Sequence, residues 1–252
     1  MSLGTIRELM AELKLGGMKN QFESTLLLAK ENNLNLEEAL DQLLQAESDY
    51  REAKKSESRI KSSKLKTTAS FEDYDFTAKR SLSKAEVREI YSLKWLDDGR
   101  PLVLIGQTGV GKTYLAHATG LRACANKKSV LFLSFSHFLE MATLHRASGH
   151  YLKFRDKMIK PDLLILDDFG MKKITTSEAE DLREILEERS FGKSTLVTTQ
   201  LPVKHWAEAI PDPVLAESIT DRFEGPGLVF KITGPSYRGV QCKKLEKKTE
   251  QA

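Results

Sequence analysis

GQTGVGKT, residues 106–113, follows the apolar run LVLIG (102–106) and precedes a helix-like stretch from Tyr114 to Asn126. A short strand, a glycine-rich loop ending in Lys-Thr and a helix, in that order, fit G-x-x-x-x-G-K-[ST] in the context that separates a phosphate-binding loop from a chance match. Gly106, Gly109 and Gly111 let the backbone close around phosphate oxygens with its amide hydrogens turned inward, and the positive end of the following helix adds to the attraction. The spacing assigns the nucleotide cradle to Gly106, Gln107, Thr108, Gly109, Val110, Gly111, Lys112, Thr113 and Tyr114. Lys112 is placed to reach the β and γ phosphates, and the Thr113 hydroxyl to ligate Mg²⁺.

Outward from this loop the pattern alternates. VLFLS (130–134), LLILDD (163–168), TLVTTQ (195–200) and LVFKIT (228–233) are further short apolar runs separated by helical stretches. Strands alternating with helices predict an α/β domain with a five-stranded, mostly parallel sheet. LLILDDFG (163–170) is apolar on both faces and so reads as a central strand, with Asp167 and Asp168 at its exit. A carboxylate ending a strand beside a phosphate loop predicts that Asp167 holds Mg²⁺ and that Asp168 orients or activates the water attacking the γ-phosphate. DDFG also satisfies the D-x-x-G of GTPases. Guanine recognition wants N-K-x-D on a later strand, and the single NK, Asn126-Lys127, lies before the second strand with no Asp following. ATP is the expected nucleotide. The tip of the fourth strand offers Thr199 or Gln200 to the attacking water or the γ-phosphate. Arg222, at the end of the helical stretch LAESITDRFEG, either complements the helix dipole or reaches a neighbouring copy's γ-phosphate, and Arg189 is a second candidate.

The first 66 residues read differently. Ile6, Leu9, Met10 and Leu13 form one helical stripe, Gly16 and Gly17 break it, and Met18, Phe22 and Leu26 form a second. Asn35 followed by Glu38 predicts a capping box opening a third helix with Leu36, Leu40, Leu43 and Leu44 inside. From Arg51 to Lys66 the chain is basic, either a solvated helix end or a phosphate-contacting segment. The expected organisation is a helical domain with basic connector (1–66), a linker and lead-in helix (67–100), an ATPase domain (101–240) and a charged tail (241–252). FEDYDF (71–76) is too aromatic for a free linker.

The chain has 252 residues, 40% hydrophobic and 30% charged, with a formal charge of +3, which is ordinary for a soluble globular protein. Cys124 and Cys242, with no C-x-x-C, speak against zinc and fit a reducing cytoplasm. No apolar run reaches the roughly eighteen residues of a membrane span, and the N-terminus lacks a signal-peptide pattern. Basic residues also gather in YLKFRDKMIK (151–160), as Lys153, Arg155 and Lys157, and at Lys172 and Lys173. They form either solvated faces or a strip that holds duplex DNA, with Tyr151 and Phe154 stacking or packing among them.

The phosphate loop, LLILDDFG, TTQLP, DRF and the late GPSYR occur in the order of the IstB/DnaC-like branch of the AAA+ ATPases, which the chain resembles over nearly its whole length. The resemblance implies a P-loop AAA+ core preceded by a small helical domain. It implies ATP with Mg²⁺, ATP-dependent self-assembly on duplex DNA, and delivery of that DNA to a cognate transposase. The alternative partner within this branch is a replicative helicase. By the same resemblance Gln200 falls at sensor 1 and Arg222 at the arginine finger. Two departures stand out. Asp168 replaces the more usual Glu, whose longer side chain would reach further, so slow hydrolysis is expected. The stretch after Arg222 is too short for the usual helical lid that carries sensor 2, for which Arg238 could substitute.

Overall fold

The structure is a computed structural model that describes residues 3–31, 34–66, 68–71 and 82–236. Contacts divide the chain into two compact units, 1–58 and 59–252.

In the first unit, α1 (Leu3–Glu12), α2 (Gly16–Glu31) and α3 (Leu36–Ser63, to residue 58) pack around Met10, Phe22 and Leu43. The Gly16-Gly17 pair opens α2 against α3. A Cβ on Gly17 would stand 2.3 Å from the Ala46 carbonyl oxygen, so only glycine permits this approach. The buried Glu47 carboxylate accepts the N–H groups of Gly17 (2.7 Å) and Met18 (3.1 Å), satisfying orphan donors of the helix start. The capping box is present, with Asn35 N–H on Glu38 (2.9 Å) and Glu38 N–H on Asn35 Oδ1 (2.9 Å). The expected stripe of α3 needs correction. Only Leu43 is buried, while Leu36, Leu40 and Leu44 are exposed, because a unit of three helices offers too little area to cover a full stripe.

The second unit begins earlier than the expected boundary at residue 66. Arg59 donates to the Cys124 carbonyl (3.1 Å), Leu65 lies against Gly120, and the Lys66 N–H reaches His117 Nδ1 (3.3 Å). The lead-in is likewise part of the core. α4 (Lys84–Ser92) and α5 (Lys94–Asp97) bury Ile90, Trp95 and Leu96, and Phe71 meets Tyr91 edge-on at 5.2 Å. The rest of FEDYDF lies outside the described residues. Next come β1 (Leu102–Gly106), α6 (Lys112–Ala125), β2 (Val130–Ser134), α7 (Phe135–Ala147), α8 (Tyr151–Ile159) and β3 (Leu163–Phe169). They are followed by α9 (Thr176–Arg189), β4 (Ser194–Thr199), a 3-10 helix (Val203–Glu208), α10 (Pro213–Glu224) and β5 (Leu228–Ile232). All strand pairs are parallel, in the order β2-β3-β4-β1-β5. One face of the sheet is covered by α4, α5 and α6 and the other by α7 to α10, so β1 and β4 are buried along their whole length. The chain leaves β1 and returns as β4 beside it, with β3 next in line. In open α/β sheets such a crevice past the carboxyl ends of the strands is where ligands bind. Among the described residues β5 is the last element; Arg238 and the tail lie outside them.

His117, on α6, is 4% exposed and stacks on Phe132 at 4.1 Å. Burial, with the Lys66 charge acting in the same direction, pushes its pKa from 6.5 down to about 4. Between those values the unfolded chain binds the extra proton, so this contribution is complete above pH 6.5 and is lost as pH falls towards 4. Such a shift is worth about 3 kcal/mol at most. His117→Gln, which keeps an acceptor for Lys66, is expected to remove about 1–2 kcal/mol of the stability lost between pH 7 and pH 5. Urea unfolding at the two pH values checks it, and an unchanged loss contradicts it.

Candidate nucleotide site

The loop between β1 and α6 wraps a cleft of about 350 Å³ lined by Thr108, Gly109, Gly111, Lys112, Thr113, Tyr114, Asp168, Met171 and Gln200. Gly109 (φ 84°) and Gly111 (φ 102°) take left-handed backbone that side chains resist. A Cβ on Gly106 would stand 2.3 Å from the Ile232 carbonyl oxygen. Val110 is buried and anchors the loop to the core, which leaves the backbone around it to line the cleft. Lys112 opens α6, and its Nζ donates to the carbonyls of Gly106 (2.8 Å) and Gln107 (3.0 Å). The Tyr114 hydroxyl donates to the Ser70 carbonyl (2.9 Å) and accepts the Ser70 N–H (3.1 Å), tying the linker to the rim of the cleft.

The two aspartates point apart. Asp167 is 6% exposed and takes the Thr113 hydroxyl on both carboxylate oxygens (3.0 and 3.1 Å) and the Thr198 hydroxyl on Oδ1 (2.6 Å). Burial raises its pKa, the Thr198 bond opposes this, and the Asp168 charge adds to the rise. Asp168 is exposed and lines the cleft with Lys112. It sits at φ 60°, a left-handed conformation that Asp tolerates better than most residues. A hydroxyl and a buried carboxylate converging beside a phosphate cradle are hard oxygen donors of the kind Mg²⁺ takes. Thr113 and Asp167 therefore fit the expected metal position.

Other expected residues fall in several places. Gln200 lines the cleft and donates to Met171 Sδ (3.0 Å). Thr199 is fully buried and donates to the Phe169 carbonyl (2.9 Å), so it faces away from the phosphates. Thr198, which the sequence reading passed over, is the β4 residue that touches the aspartates. Arg189 is not available as a finger. It is 1% exposed and holds Thr195 Oγ1 (3.0 Å) and the carbonyls of Met158 (3.0 Å), Pro161 (2.9 Å) and Ser194, contacts that compensate a buried guanidinium. Arg222 lies at the opposite end of the strands from its own cleft, lining a pocket with Pro101 and Thr195 at the starts of β1 and β4. It donates to the Ser218 carbonyl and hydroxyl and faces Glu187 at 3.6 Å.

Among the basic residues, Lys153, Lys157, Lys172 and Lys173 are exposed. Arg155 is half-buried and paired with Glu184 (2.6 Å) and Asp156 (3.5 Å), so its charge is already matched within the fold. Phe154 belongs to the core and Tyr151 bonds Glu184 (3.2 Å), so these aromatics pack. No helix among the described residues is long and apolar enough to cross a membrane.

The family model described as IstB-like ATP binding protein matches residues 8–245. A relative from Sinorhizobium fredii, named as an insertion sequence ATP-binding protein, is 34% identical over 91% of this chain and 94% of its own length. Another from Mycobacterium tuberculosis, named as an ATP-binding protein in an insertion sequence, is 34% identical over 92% and 93%. Among solved structures, the replication initiator DnaA bound to AMPPCP and single-stranded DNA superposes with a TM-score of 0.57 at 20% identity, covering 73% of this chain and 56% of that one. The DnaC helicase loader gives 0.52 at 21% identity, covering 59% and 87%. These structural likenesses show the AAA+ fold that the chain shares with them.

Proposed function

This chain belongs to the family of IstB-like ATP binding proteins, and on that premise we propose that it is an ATPase that assists insertion-sequence transposition. Copies take up ATP with Mg²⁺, assemble on duplex DNA and present that DNA to a cognate transposase. The observation that carries the reading is the division of labour between the two aspartates: Asp167 turned inward onto Thr113, Asp168 turned outward into the cleft opposite Lys112.

Each residue then has one task. Lys112 and the loop amides bind the β and γ phosphates, and Thr113 with Asp167 holds Mg²⁺. The metal, when bound, neutralises charge developing on the phosphates. Asp168 accepts a proton from the attacking water, Gln200 steadies that water or the γ-phosphate, and Arg222 of a neighbouring copy supplies the remaining positive charge. Because Asp168 carries a shorter side chain than glutamate, its carboxylate sits further from the phosphate, in keeping with slow turnover.

Lys153 and Lys157 on α8, together with Lys172 and Lys173 after β3, are the exposed cations assigned to DNA phosphates. Few contacts per copy make affinity depend on assembly, and hence on ATP. Duplex binding, followed by anisotropy with and without a non-hydrolysable ATP analogue, should tighten with nucleotide. It should weaken by about 10³-fold or more between 50 and 200 mM salt, as expected when several phosphates are neutralised. Lys153→Glu/Lys157→Glu should lower it at least about 10-fold in the nucleotide-bound state. Binding indifferent to both nucleotide and salt contradicts the proposal, and parental binding by the double variant moves the DNA site to the basic connector.

A further inference from the structure

Thr198 is fully buried in β4, and its hydroxyl serves both aspartates at once. It donates to Asp167 Oδ1 at 2.6 Å and accepts the backbone N–H of Asp168 at 2.9 Å. The β3–β4 register slips between Leu166 and Phe169, so Asp167 and Asp168 leave the regular ladder on the β4 side, while Asp167 stays paired with Ser134 of β2. The Asp168 N–H, deprived of a ladder carbonyl, is taken by the Thr198 oxygen instead. Because that oxygen accepts from Asp168, its own proton is directed at Asp167. The same two bonds hold Asp168 at φ 60°, the conformation that turns its carboxylate away from Asp167 and into the cleft. Without the hydroxyl, the Asp168 N–H loses this acceptor and Asp167 loses the Thr198 bond, so like charges on adjacent residues lose a restraint on their separation.

We infer that Thr198 is a positioning residue for ATP hydrolysis, a hydroxyl clamp that holds Asp167 towards the metal and Asp168 towards the water. The inference rests on the proposed roles of those two aspartates. Groups that orient metal ligands typically change metal affinity or activity by about 10–100-fold when removed. A group that merely packs the strand would alter stability and leave those quantities in place.

The test compares Thr198→Val, which removes the hydroxyl at similar volume, with Thr198→Ser, which keeps it. Thr198→Ala, the smaller deletion, gives the same comparison if valine prevents folding. Nucleotide affinity in EDTA should stay within about 3-fold of the parent, because the phosphate loop is untouched. Mn²⁺ affinity of the nucleotide-loaded protein, read by electron paramagnetic resonance, should fall about 10-fold or more. The kcat should fall about 10–100-fold with KM little changed, and Thr198→Ser should recover most of both losses. Parental Mn²⁺ affinity and kcat in Thr198→Val or Thr198→Ala overturn the inference while leaving the functional reading intact. A loss that serine does not recover assigns Thr198 to packing and overturns it equally. A parent protein that neither binds Mn²⁺ with nucleotide nor hydrolyses ATP overturns the functional reading, and this inference with it.

Discussion

Lys112→Ala is expected to weaken ATP binding by about 100-fold or more while leaving the fold intact. The ammonium is held at the loop by the Gly106 and Gln107 carbonyls, in the cleft where the phosphates of a bound nucleotide would meet it. Hydrogen bonds to charged groups contribute about 1.5–3 kcal/mol each, and losing about 2.7 kcal/mol is a 100-fold change. Alanine at the first position of α6 keeps the helix, since it has the highest helix propensity. Titration with fluorescent ATP and GTP analogues reads the effect. Unchanged ATP affinity in the variant, or a preference for GTP in the parent, contradicts the assignment of this cleft.

Arg222→Ala is expected to behave in the opposite way, with ATP bound at parental affinity and hydrolysis reduced by about 10³-fold or more, the usual worth of an arginine finger. The geometry separates the two residues. Lys112 and Asp168 lie at the carboxyl ends of the strands, whereas Arg222 lines a pocket with Pro101 and Thr195 at their starts. β1, five residues long, spans about 17 Å between these ends, so Arg222 does not serve its own phosphates. Its contacts within the copy are a local bond to Ser218 and a longer approach to Glu187, which already pairs with Arg183. Under the proposed assembly, a neighbouring copy's triphosphate would be a stronger partner than either. Loss of ATP-dependent association, seen by light scattering, should accompany the loss of turnover.

How far these residues could be read in the sequence depended on whether their partners are near in the chain. The phosphate loop, the central strands and the Asn35–Glu38 cap are local patterns, and their expected positions agree with the structure to within a residue or two. The role of Thr198 was not legible. Strand alternation turns Leu196 and Thr198 towards the α6 face and Val197 towards the other, so Thr199 could have been set aside by counting. Which of these meets Asp167, however, depends on the slipped β3–β4 register, and nothing in either strand alone specifies it. In the sequence Arg189 is a second candidate for the finger, and only the fold shows it threaded between the α8–β3 turn and β4. Arg155 looked available until Glu184, on a helix beyond the next strand, was seen to match it. The Gly16-Gly17 pair announced a break, while the reason for glycine, the close approach of α3, is tertiary.

The central claim is that one copy's cleft is completed by the next copy's Arg222, and a mixing experiment tests it most directly. Asp168→Asn removes the water-activating carboxylate yet suits φ 60°, since asparagine tolerates left-handed backbone. Arg222→Ala keeps Asp168 and lacks the finger. Each variant alone should hydrolyse ATP only at background rate. In an equal mixture, every Arg222→Ala cleft that meets an Asp168→Asn neighbour has both groups, so the rate should rise to as much as about a quarter of the parental value for random head-to-tail pairing. Steady-state hydrolysis across mixing ratios, with the total protein held constant, should give a curve that peaks near equal proportions. A rate that never exceeds the weighted sum of the two variants would contradict the account.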